Sequence, residues 1–101
     1  MTKQIPREWL RERLSDSDMT ALDEGARGTY EGGRDAHEHG FTQRDTVGWA
    51  SIKSQFTPGD EVWKYCSPME IWQNYKGEMG IAIVRQGAVV ASVVTFGPFN
   101  R

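Results

Sequence analysis

A single cysteine, Cys66, stands among 101 residues. It excludes an internal disulfide, sets aside the class of small disulfide-stapled secreted domains and fits a reducing compartment. No apolar run approaches the roughly 18 residues that a membrane span requires. The opening Met1–Leu14 is charged throughout and lacks the apolar stretch of a signal peptide. The expectation is an unexported, cytoplasmic protein without a membrane partner. A positive excess is missing as well: 12 Lys and Arg face 14 Asp and Glu, and the basic cluster Arg7, Arg11 and Arg13 is interrupted by Glu8 and Glu12. A general nucleic-acid binder would gather Lys and Arg on one surface, so direct nucleic-acid binding is disfavoured.

What is present divides unevenly. Between Ser15 and Thr46 there are eight acidic residues, three basic residues, five glycines and four large apolar side chains, Met19, Leu22, Tyr30 and Phe41. Between Val62 and Phe96, 20 of 35 residues are apolar and five are charged. A chain of this length supports one modest core. Residues 1–101 therefore read as a single domain, with 1–56 a helical and loop-rich flank and 57–101 a β-α-β-β core.

Local patterns refine this. Pro6 at a first helical position, with Ile5, Trp9, Leu10 and Leu14 on one side, predicts a short amphipathic helix over 6–14 that needs packing to be stable. A second helix is expected from about Met19 to Glu24, capped by Ser17 or Asp18 and stopped by Gly25. The glycines that follow predict loop over 26–41. Thr42 and Asp45 resemble a capping pair for a helix carrying Val47, Trp49, Ile52 and Phe56. Glu61–Cys66 alternates as a strand. Ser67-Pro68-Met69-Glu70 reads as a capping box opening a helix that Gly77 ends.

Met79–Arg85 and Ala88–Phe96 flank Gln86-Gly87, a two-residue hairpin turn. Uninterrupted pairing would set Arg85 opposite Ala88, Val84 opposite Val89, Ile83 opposite Val90 and Ala82 opposite Ala91. Both faces are then apolar, so the hairpin should be covered on both sides. The 12 residues between Cys66 and Met79 suffice for a parallel crossover, which would place the last strand between the other two. The fold class is α+β, short N-terminal helices on a three-stranded, largely antiparallel sheet with one inserted helix.

The segments Phe56-Thr57-Pro58-Gly59-Asp60-Glu61-Val62-Trp63, Ser67-Pro68 with Trp72, and Gly80-Ile81-Ala82-Ile83-Val84-Arg85-Gln86-Gly87-Ala88-Val89-Val90 resemble a pattern of small uncharacterised bacterial proteins. That pattern is a PGDE(I/V)W strand, an SP-led helix with a Trp, and a G-x-A-x-VR-x-G-x-VV hairpin. The resemblance covers about residues 56–96 and implies the fold. In size and style the chain also resembles immunity proteins and phage-encoded inhibitors of the anti-CRISPR kind.

Several constellations could carry chemistry. In an extended segment Asp35, His37 and His39 would point the same way, the three ligands of an open zinc site. The competing reading is a solvated polar loop, whose ordering costs entropy. Cys66, just before a helix N-terminus, has the setting of an activated thiol, against which stands a buried structural cysteine. These two make a small metal-dependent or thiol enzyme the alternative function. Trp49, Trp63, Tyr65, Trp72 and Tyr75 could form a stacking platform, although aromatics at helical and strand spacing in a leucine-poor chain usually build the core. Gly25, Gly28, Gly32 and Gly33 fit neither phosphate-loop spacing, and no cofactor is indicated.

The acidic flank supports a binding role best. Its long connection exceeds what linking two elements requires. Tyr30 and Phe41 are aromatic anchors, Arg27 and Arg34 polar contacts, and Asp23, Glu24 and Glu31 the charge that guides association with a partner protein or protein complex. The expected function is a small intracellular binding or inhibitory protein.

Overall fold

The computed structural model describes residues 5–74 and 76–97. Tyr75, one of the expected platform aromatics, lies outside them. The chain opens with a 3₁₀ turn, Arg7–Trp9, and continues into strand β1, Leu10–Arg13. Helices α1 (Asp16–Ala26), α2 (Tyr30–Glu38) and α3 (Gln43–Ile52) follow. Strand β2 (Glu61–Cys66), the one-turn helix α4 (Met69–Gln73), and strands β3 (Met79–Arg85) and β4 (Ala88–Phe96) complete it. Among the described residues this is an α+β fold with four α-helices and a four-stranded antiparallel sheet in the order β1-β2-β3-β4. No helix of the described residues is long and apolar enough to cross a membrane.

The three strands expected from sequence are present, and a fourth replaces the expected N-terminal helix. A nine-residue helix is marginal by itself, whereas the outer edge of β2 offers unsatisfied backbone groups. β1 takes them up with Leu10 opposite Tyr65 and Arg13 opposite Trp63, across a bulge between Leu10 and Glu12. The Leu14 N–H then donates to the Val62 carbonyl at 2.8 Å.

The expected parallel crossover is absent: β2 and β3 pair antiparallel from Glu61 opposite Val84 to Cys66 opposite Met79. The intervening residues form a closed hairpin loop. Ser67 and Glu78 pin its neck, the Ser67 N–H donating to the Glu78 carbonyl at 2.9 Å and the Glu78 N–H to Ser67 Oγ at 3.0 Å. The Trp72 indole N–H donates to the Ser67 carbonyl at 2.9 Å, and its ring lies so close over Gly77 that a Cβ there would sit 2.1 Å from it. Ser67 therefore serves the strand pair and does not cap α4, whose N-cap residue, Pro68, makes no side-chain capping bond.

The β3–β4 hairpin has its two-residue turn, with Gln86 at φ 52° and Gly87 at φ 80°, the left-handed pair that matches strand twist. Arg85 faces Ala88 and Val84 faces Val89, as expected. Val90 is then an extra residue, so Ile83 faces Ala91 and Ala82 faces Ser92. This bulge moves Ala91 and Val93 onto the face of Ile81 and Ile83, the reverse of the uninterrupted register.

Both faces of the hairpin are covered. On one, Val62, Ile81, Ile83 and Ala91 pack with Leu14, Leu22, Phe41, Trp49 and Ile52 from the helical side. On the other, Tyr65 and Ala82 are covered by Ile5, with Trp9, Leu10 and Val89 against them. Trp9 stacks on Tyr65 with ring centroids 6.4 Å apart.

The expected loop over 26–41 is corrected most sharply, because most of it is α2. Thr29 Oγ1 accepts the Gly32 N–H, giving an N-cap. At the other end the Gly40 N–H reaches the His37 carbonyl and the Phe41 N–H the Ala36 carbonyl, both at 2.9 Å, with Gly40 at φ 85°. That is a Schellman stop, with Phe41 and Ala36 supplying its apolar contact in the core. The interior glycine Gly32 is a point of contact: a Cβ there would lie 2.0 Å from the Glu24 carbonyl oxygen of α1. α1 also starts earlier than expected, on a Ser15–Asp18 capping box, and runs through Gly25. The α3 start is as expected, with Thr42 and Asp45 forming a capping box.

Candidate functional site

The residues expected to contact a partner are dispersed by the fold. At 3.6 residues per turn, Tyr30, Arg34 and His37 fall on one side of α2, opposite the buried Gly32 and Ala36. Glu31 and Glu38 both lie along one border of this stripe. Tyr30 is 84% exposed, a large aromatic in the first turn of a capped helix with almost none of its surface covered. Arg34 Nε lies 3.5 Å from Glu38 Oε1, and Arg27 similarly 3.5 Å from Glu24 Oε1, both on exposed surface where such pairs add little stability.

Two expected contacts belong to the interior instead. Phe41 is 2% exposed and sits in the main core, with Lys64 Nζ 4.6 Å from its ring centre. It cannot serve as an anchor for a partner, because the Schellman stop of α2 directs it inward. Asp23 accepts the indole N–H of the buried Trp49, so its carboxylate is committed to holding α1 on α3.

The zinc geometry requires an extended segment, and α2 removes it. Two positions along a helix are about 200° apart, which separates Asp35 from His37. His39, the C-cap residue, places Nδ1 3.1 Å from Asp18 Oδ1. Asp18 is held below the usual carboxylate range, first by the Ser15 backbone N–H and next by His39. Among the described residues no three His, Cys, Asp or Glu side chains converge as metal ligands.

Cys66 ends β2, half-buried, with Sγ 3.4 Å from the Ser67 carbonyl oxygen. The helix that follows is a single turn and carries little dipole with which to activate a thiol. Both histidines lie on α2 and its cap, remote from Cys66 in the chain and on a different layer of the fold.

The aromatics largely build structure. Trp49 packs edge-on against Phe56, and Trp72 tilts against Phe96, each pair with centroids 6.1 Å apart. Trp63 and Tyr65 share a sheet face, as the alternation predicted, but Trp9 covers Tyr65.

Two features escaped the sequence reading. Glu78 is 2% exposed and accepts the Tyr65 hydroxyl at 3.2 Å. Burial, reinforced by the Glu78 charge, pushes the Tyr65 pKa well above its ordinary value. The second is an apolar groove of about 460 Å³ between α3 and β4, lined by Val47, Gly48, Val93 and Val94, which meets a further 490 Å³ hollow beside Met79, Thr95 and Phe96. Val47 is 62% exposed there, and Met79, Val94 and Phe96 are also exposed. The legible signal was the absence of any charged residue from Gln86 to Gly97.

No family model matches the chain, and no curated protein or solved structure is significantly similar to it.

Proposed function

We propose that this chain is a small binding protein of inhibitory type, acting by occupying the surface of a partner protein with the outer side of α2. The observation that carries the reading is Tyr30, 84% exposed at the start of a helix whose other end is fixed in the core by Phe41. An aromatic ring held on a rigid helix is a low-entropy anchor, and interface energy concentrates on such groups and on Arg. Arg34 supplies the polar contact beside it. Glu31 and Glu38 set the sign of the surrounding field. Residues 15–46 carry eight acidic against three basic residues, so a basic surface is the complement, approached faster at low salt.

The test is affinity capture from a lysate of the native host or its target cell, run in parallel with wild type, Tyr30→Ala and a Glu31→Lys/Glu38→Lys double variant. All these positions are exposed, so the variants should melt like wild type. A partner retained by wild type and lost by both variants supports the reading. Identical recovery on all three proteins rejects it.

A further inference from the structure

We draw no further inference here: the strongest candidate, the apolar groove between α3 and β4 lined by Val47, Gly48, Val93 and Val94, carries nothing, because nothing in the structure shows what covers it.

Discussion

Residues 15–41 and residues 61–96 share one core, to which the first gives Leu22 and Phe41, but differ in how their elements touch. In the sheet and the α3 side chains against it, large groups fill the interior: Trp49, Tyr65, Ile81 and Ile83 are buried almost without exposure. Where α1 and α2 meet each other, contact comes from what is missing. Gly32 lets the Glu24 carbonyl approach to where a side chain would stand, and Gly25 does the same for Thr46 and Ala36. A polar, glycine-rich stretch thus acquires a fixed place because its glycines allow backbones to touch. The half with large side chains should therefore lose more when one of them is deleted.

The largest effect is expected from the sheet side. Trp49→Ala removes a core indole and leaves the Asp23 carboxylate without its donor. Chemical denaturation should show a loss of about 3–5 kcal/mol. A loss below about 1 kcal/mol would mean that the large-residue half does not dominate.

Next comes a paired test of the close-packed half. Gly32→Ala must drive α2 away from α1 and should cost about 1–3 kcal/mol as overpacking. Its neighbour Gly33 faces open space at an ordinary helical φ. Gly33→Ala should stabilise by up to about 1 kcal/mol through helix propensity. Equal effects at the two positions would break the comparison, since composition cannot distinguish adjacent glycines and packing must.

The smallest effects concern the charges that fasten each half. Asp60 accepts two bonds from the Arg85 guanidinium, both at 2.9 Å, and the Thr57 N–H, and these hold its carboxyl far below the usual range. Asp18 is lowered by the Ser15 N–H and His39. A carboxylate with a lowered folded pKa contributes stability above its unfolded value, near 4, and loses it as pH falls through the folded one. Melting temperature should therefore decline below about pH 4, less steeply in Asp60→Asn on the sheet side and in Asp18→Asn on the helical side. A wild-type curve flat from pH 5 to 2 would count against both pairs.

The sheet half was the more legible in sequence because its signals are local. Alternation over Glu61–Cys66 and the Gln86-Gly87 turn each reflect the backbone geometry of a few neighbouring residues. The strand order was not legible, since Ser67 resembles a helix cap and only the fold reveals that Glu78 claims it. The bulge at Val90 was hidden for the same reason, because valines on both sides make either register apolar.

In the helical half the missed element, α2, did carry signals, Thr29 at its start and Gly40 at its end. They were outweighed by Gly32 and Gly33 between them, whose role depends on α1 lying across one of them. The candidate binding residues were legible by type but not by exposure. Tyr30 and Phe41 look equivalent in sequence, and the Schellman stop sends one inward.

The order β1-β2-β3-β4 has a kinetic consequence. β2, β3 and β4 form a meander whose partners are close neighbours in the chain, pairings that close short loops and form early. β1 is different. All of residues 14–60 lie between it and β2, so its closure carries the largest loop entropy in the sheet. On a ribosome β1 emerges first and waits for a partner made almost fifty residues later, while α1, α2 and α3 assemble in the interval. Its four residues should be the last strand to settle and the first whose amide protons exchange.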